Sequence, residues 1–223
     1  MNSATTNYSG KGNHGGYVFL NRIDPTNPQK MFVSFLMGGL WVTADGGANW
    51  TLTDSNFPDE KYLDIDICTS SPNTVYALSS KQLIKSIDGG LNWTATTLTN
   101  ASYTGTAYDI AVSPSDPNTV VARWGDKIYR TTDGGTSWTS IVSGLPNYYL
   151  VGDCSVNSEM LDWSTTNAAT VYFISTTNNN VSTVYRSTDS GQSFSILSTI
   201  TLDPTATGQV IGWAKLLLPS NNA

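Results

Sequence analysis

The chain has 223 residues, of which only 13% are charged, with a formal net charge of -6. Its eleven Lys and Arg are scattered, so the positive face that phosphate recognition needs is missing and nucleic-acid binding is not expected. No run is long and apolar enough to cross a membrane as a helix, so membrane insertion is not expected either.

Residues 1–15 are polar and Gly-rich and read as a lead-in. Met1-Asn2-Ser3-Ala4-Thr5-Thr6 has neither the basic nor the apolar stretch of a signal peptide, so secretion would need a leader outside this sequence. His14, the single histidine, stands before two glycines with no ligand-spaced neighbours, so no metal and no cofactor is expected.

From Tyr17 the chain alternates like short strands punctuated by turns. Tyr17–Ile23, Met31–Phe35 and Leu40–Thr43 read as three strands, and a fourth starts at Trp50. The second repeat offers Tyr62–Ile67, Thr74–Leu78 and Gln82–Lys85, with a fourth strand from Trp93. The third offers Tyr108–Val112, Thr119–Trp124 and Lys127–Arg130.

Each third strand runs into the same octapeptide. The copies are Thr43-Ala44-Asp45-Gly46-Gly47-Ala48-Asn49-Trp50, Ser86-Ile87-Asp88-Gly89-Gly90-Leu91-Asn92-Trp93, Thr131-Thr132-Asp133-Gly134-Gly135-Thr136-Ser137-Trp138 and Ser187-Thr188-Asp189-Ser190-Gly191-Gln192-Ser193-Phe194. The roles implied are structural. The carboxylates of Asp45, Asp88, Asp133 and Asp189 accept from N–H groups further round the turn. Gly47, Gly90, Gly135 and Gly191 supply positive φ. The hydroxyls of Thr43, Ser86, Thr131 and Ser187 tie in the incoming strand. The rings of Trp50, Trp93, Trp138 and Phe194 hold the outgoing strand on the core.

The aspartates stand 43, 45 and 56 residues apart, so the fourth repeat carries extra length, assigned to about 146–158 and Asn178–Asn180. Val210–Asn222 lines up with Tyr108 to Pro117 when Pro219 is set on Pro114, and reads as the first strand of a fifth repeat. Expected bounds are 16–57, 58–101, 102–146, 147–203 and a fifth begun at 208–223, with a fragment of a longer array favoured over a closed ring. Cys68 and Cys154 fall in non-adjacent repeats and read as buried thiols, a disulfide being the alternative.

The Ser/Thr-x-Asp-x-Gly-x-x-Trp/Phe turn resembles the Asp-box, or BNR repeat, of sialidases, xyloglucan-cleaving hydrolases, sortilin-like receptor domains and photosystem assembly factors. The resemblance covers roughly 15–219 and implies an all-β fold: a partial β-propeller of about four blades, each of four antiparallel strands, plus the start of a fifth. It also places these turns on the periphery, away from the ligand face.

In such a propeller the first strand of each blade is innermost. Aligning the repeats puts Arg22, Asp66, Ala111 and Asp162 at one position and Leu20, Asp64, Asp109 and Met160 at another. Arg22, Asp64, Asp66, Asp109 and Asp162 are therefore candidates to line a channel, against the plainer reading that they hydrogen-bond neighbouring strands. Asn21, Ile65, Ile110 and Leu161, with Ile23, Ile67, Val112 and Trp163, read as core between blades.

No catalytic residue is assigned. A sialidase-like site needs three arginines, a tyrosine and a glutamate. Here Arg130 and Arg186 fall just before the repeated turns, and the only glutamates are Glu60 and Glu159. A xyloglucanase-like site needs an acid two places before a Gly-Gly, where Leu36 stands ahead of Gly38-Gly39. The reading is a non-catalytic module of a secreted or cell-surface protein that binds protein or glycan beside the remaining blades, with part of a glycoside hydrolase as the alternative. Trp124, Tyr103, Tyr148 and Tyr149 are candidate exposed aromatics for stacking, with packing as the other reading.

Overall fold

The computed structural model describes residues 18–36, 38–53, 56, 62–99, 107–125, 127–142, 145, 161–176 and 181–201. The expectations placed on the lead-in, the fifth repeat, His14, Cys154, Glu60, Glu159, Met160, Tyr103, Tyr148, Tyr149 and the insertions at 146–158 and 178–180 lie outside the described residues.

Among the described residues the chain is all strand and turn. Sheet 1 comprises β1 (Val18–Asp24), β2 (Asn27–Phe35), β3 (Gly39–Thr43) and β4 (Thr51–Leu52). Sheet 2 comprises β5 (Tyr62–Ile67), β6 (Val75–Ser79), β7 (Gln82–Ser86) and β8 (Thr94–Thr99). Sheet 3 comprises β9 (Ala107–Val112), β10 (Val120–Trp124), β11 (Lys127–Thr131) and β12 (Thr139–Ile141). Sheet 4 comprises β13 (Leu161–Trp163), β14 (Val171–Thr176), β15 (Val181–Ser187) and β16 (Ser195–Thr201). Each sheet is an antiparallel meander in chain order. The expected four-strand repeat is thus present four times.

One boundary differs. The Asp24–Pro28 stretch is not a five-residue turn: Asp24 pairs Asn27, so Pro25-Thr26 alone turns the chain and β2 begins at Asn27. Asp24 Oδ1 accepts from the Thr26 N–H at 2.8 Å and from its hydroxyl at 2.7 Å, which closes the hairpin early.

The middle strands explain how the sheets pack. All five residues of β6 and all five of β10 are buried, with no polar side to face water. A strand with that pattern is covered on both faces. Val75 and Ala77 of β6 face sheet 1, together with Phe32, Leu40 and Val42. Tyr76 and Leu78 face sheet 3, together with Val120, Ala122 and Trp124. Val121 and Ile128 of sheet 3 then meet Val171, Phe173 and Tyr185 of sheet 4. Three apolar layers therefore join four sheets in sequence, and the first strands β1, β5, β9 and β13 lie side by side. This is the arrangement of four blades of a partial β-propeller.

Candidate functional site

The inner strands carry the candidate carboxylates, and the structure gives each a backbone partner. Asp64, 7% exposed, accepts from the Ile65 N–H at 2.7 Å through Oδ1 and from the Ile110 N–H of the next sheet at 2.9 Å through Oδ2. Asp66 repeats this two residues on, taking the Ile67 N–H at 2.9 Å and the Val112 N–H at 2.7 Å. Asp109 accepts the Leu161 N–H of sheet 4 at 2.7 Å. Adjacent inner strands share no backbone ladder. A buried N–H there needs another acceptor, and a carboxylate reaching from the neighbouring blade supplies it.

Arg22 donates to Asp66 Oδ1, joining sheets 1 and 2. Asp64 and Asp109 are hydrogen-bonded to each other, and burial pushes the Asp64 carboxyl up, to about 6. Asp162 accepts the N–H of Trp163 at 2.8 Å. The structure thus bonds Arg22 to Asp66 and Asp64 to Asp109, and the charges of Arg22 and Asp66 act on Asp64 between the two pairs.

The four repeated turns share one geometry. Each Ser or Thr hydroxyl donates to the Asp Oδ1 two residues on, at 2.7 to 2.8 Å. The same oxygen accepts the N–H of Gly47, Gly90, Gly135 or Gly191, at 2.8 to 3.1 Å. The Asp carboxylate accepts the N–H of Asn49, Asn92, Ser137 or Ser193 at 2.9 Å. Its Oδ2 takes the side chain of that residue, at 2.5 to 2.7 Å. The N–H and the side chain of Asn49 hold Asp45 down to about 2, and those of Asn92 hold Asp88 there. The hydroxyls of Ser137 and Thr131 lower Asp133 still further. These are carboxylates fixed as permanent acceptors, unsuited to proton transfer near neutral pH. Trp93 and Phe194 are buried beside them, and Trp50 and Trp138 half-buried.

Sequence reading missed a set of side chains that cross between sheets. Tyr76 donates its hydroxyl to the Pro117 carbonyl at 2.7 Å. Lys30 reaches the Pro72 carbonyl at 3.1 Å, Lys85 the Asn118 amide oxygen at 3.3 Å, and Arg130 Nε the Ser190 carbonyl at 2.7 Å. In each case a cation of one sheet lies under the turns of the next. Arg123, 3% exposed, lies 6.0 Å from the Phe173 ring centroid. Lys85 and Arg130 share a repeat position, a signal the alignment contained.

Trp124 is not a surface aromatic. It is fully buried in the layer between sheets 2 and 3, because the second sheet covers the end of β10. Cys68 is a buried free thiol, its Sγ 3.2 Å from the Ser113 carbonyl. A polar crevice of about 290 Å³ lies between the third and fourth turns, lined by Arg130, Thr131, Thr132, Ser137, Thr139, Ile141 and Gln192. Among the described residues no three His, Cys, Asp or Glu stand together as metal ligands. No helix there is long and apolar enough to cross a membrane.

Three solved structures show the same fold. An ancestral GH74 enzyme superposes with a TM-score of 0.60 at 19% identity, over 81% of this chain and 24% of its own. The GH74 xyloglucanase of Xanthomonas campestris gives 0.58 at 16%, over 79% and 29%. YCF48 from Cyanidioschyzon merolae gives 0.57 at 16%, over 81% and 56%. The chain therefore spans less than two thirds of each. No curated protein matches its sequence. The family model described as sortilin, neurotensin receptor 3 matches residues 38–195, and the chain belongs to this Sortilin-Vps10 family of repeat β-propellers.

Proposed function

We propose that the chain is a non-catalytic Asp-box propeller module of a secreted or cell-surface protein, a rigid scaffold that binds protein or glycan. The observation that supports this is the use of the inner carboxylates. Asp64, Asp66 and Asp109 each accept a backbone N–H of the following sheet. An acid placed to protonate a leaving group, or a base placed to activate water, needs free oxygens facing a cleft. Leu36, which has no titratable group, stands where a xyloglucanase-like acid would. The turn carboxylates are held well below neutral pH by their own turns. A surface rich in hydroxyls and amides, with 13% charge, fits an extracellular setting.

A second reading rests on the fold likeness to two GH74 enzymes: this stretch would be part of a glycoside hydrolase whose catalytic residues lie in other blades. The chain, incubated with xyloglucan oligosaccharides and a sialoside panel and displayed on a glycan array, tests the first reading. No turnover above buffer is expected. Turnover abolished by Asp64→Asn or Asp109→Asn, with the thermal transition retained, would overturn the proposal.

A further inference from the structure

The seam between sheets 2 and 3 is closed at its outer end by β8. Thr97 donates its N–H to the Gly135 carbonyl at 3.0 Å, and its hydroxyl lies 3.1 Å from that carbonyl and 3.0 Å from the Thr136 carbonyl. The seam between sheets 3 and 4 has no such closure among the described residues. There β12 is three residues long where β8 has six. Val142 follows Trp138 as Thr97 follows Trp93, and it is 76% exposed. Among the described residues it donates to neither the Gly191 nor the Gln192 carbonyl. The crevice of about 290 Å³ opens at this seam, and every residue lining it is described.

A second departure from the repeat leaves donors inside the crevice. Thr94 and Ser195 each follow the aromatic residue of a repeated turn, and their hydroxyls donate to the Lys85 and Arg186 carbonyls at 3.2 and 3.3 Å. Thr139 holds the same position in sheet 3 and is exposed, with no such bond among the described residues. Thr132 is exposed beside it. Arg130 uses Nε on the Ser190 carbonyl, so its terminal N–H groups remain available as a planar fork of donors. Ile141 adds an apolar side chain to the lining.

The charge balance narrows the ligand. Burial works against the Arg130 charge, and the Asp189 and Asp116 charges support it. Carboxylates thus already balance the cation, and an anionic ligand gains little. An apolar ligand finds a lining that is almost wholly polar. The volume stands at the lower end of ligand sites, about 300 Å³, which is room for one ring. A sugar ring answers this combination. Its adjacent hydroxyls present paired acceptors to a guanidinium and exchange hydrogen bonds with threonine hydroxyls, and its C–H face needs one apolar neighbour.

We propose that this crevice binds a single neutral hexose unit of a glycan, held by Arg130, Thr132 and Thr139 over Ile141. The proposal rests on the reading of the chain as a module that binds protein or glycan, and gives that reading a site on the periphery. Two adjoining sheets supply it, each through its repeated turn.

Titration of the chain with glucose, galactose, mannose and glucuronate, followed by amide chemical shifts, tests it. A neutral hexose should shift the amides of Thr131, Thr132, Thr139 and Gln192, with a dissociation constant in the millimolar range. Thr139→Val should weaken binding by about fivefold and Arg130→Met by about tenfold or more. Thr94→Val, the same change at the closed seam, should leave the affinity unaltered. Unchanged thermal midpoints exclude unfolding as the cause of a loss. Tighter binding of glucuronate than of every neutral hexose would overturn the proposal, as would full affinity in Thr139→Val and Arg130→Met. Sugar-dependent shifts confined to other residues would sink this site and leave glycan binding standing. No shift with any sugar would sink the site and the glycan half of the broader reading together.

Discussion

At Gly90 the backbone stands at a φ of +90°, and an added Cβ would come within 2.7 Å of Phe32 Cζ. The Phe32 ring is fully buried and belongs to the layer between sheets 1 and 2, so it has little room to retreat. Gly90→Ala combines left-handed strain with overpacking and should cost about 2–4 kcal/mol in urea unfolding. Ser190 is the opposite case. Its φ of 60° makes it the one non-glycine in that region among the described residues, at a position where the other turns have Gly46, Gly89 and Gly134. Ser190 N donates to the Ala169 carbonyl and its carbonyl accepts Arg130, and both bonds are backbone bonds that survive substitution. Ser190→Gly should therefore raise stability by up to about 1 kcal/mol, read from the same urea midpoint.

Asp64 sets a pH dependence at the same scale. Burial raises its carboxyl to about 6, against the pull of the Asp109 hydrogen bond, the Arg22 charge and the Ile110 N–H, while the Asp66 charge adds to the rise. A carboxyl raised in the folded state takes up its proton more readily there than in the unfolded chain. The stability it contributes is present below the ordinary carboxylate range and is lost as pH rises through about 6. Thermal midpoints at constant ionic strength should fall between pH 5 and about pH 7 in the unaltered chain, and Asp64→Asn should flatten that fall.

At the scale of the element, the turns show what a one-dimensional pattern conveys. The Ser/Thr-x-Asp-x-Gly template names the hydroxyl, the carboxylate and the glycine, and all three lie in the bonds described above. Two positions written as x are equally constrained. The residue after Asp takes positive φ, and the residue four after Asp donates its side chain to Oδ2. Both signals were present, as Gly, Gly, Gly, Ser and as Asn, Asn, Ser, Ser. The inner carboxylates were harder. Their acceptor role depends on an N–H 46 residues away on another sheet, and nothing local distinguishes that from a channel lining. Trp124 poses the same difficulty: of its two readings, stacking on a ligand or packing, the structure shows packing, and the second sheet that covers it is distant in sequence. The turn hydroxyl offers a clean test. Ser86 is 1% exposed, donates to Asp88 and accepts the buried Gly90 N–H. Ser86→Ala leaves that N–H without an acceptor and should cost about 1–3 kcal/mol. Ser86→Thr should be close to neutral, because Thr43 and Thr131 fill the same role.

Across the whole molecule, stability is a chain of nearest-neighbour terms. Sheet 2 touches sheets 1 and 3, and sheet 3 touches sheets 2 and 4, through three separate apolar layers. In such a quasi-linear array, coupling between the ends passes through every intervening interface. The middle layer joins the first two sheets to the last two, and Trp124 is its largest fully buried side chain. It is supported by Tyr76 on the Pro117 carbonyl and by Asp64 and Asp66 on the inner-strand N–H groups. Truncating Trp124 to Ala removes a large ring from a closed layer and should cost about 3–5 kcal/mol. More diagnostic than the magnitude is its distribution. With the middle interface weakened, sheets 1 and 2 should separate from sheets 3 and 4 as two units, each keeping its own internal layer. Hydrogen exchange should then show β2 and β14 amides opening at different free energies in Trp124→Ala, whereas the unaltered chain should open both together. Tyr76→Phe, which loses one hydrogen bond and no volume, should cost about 1 kcal/mol and leave the two in step. Equal opening of β2 and β14 in Trp124→Ala would mean that the sheets are held together by something other than the layers between them.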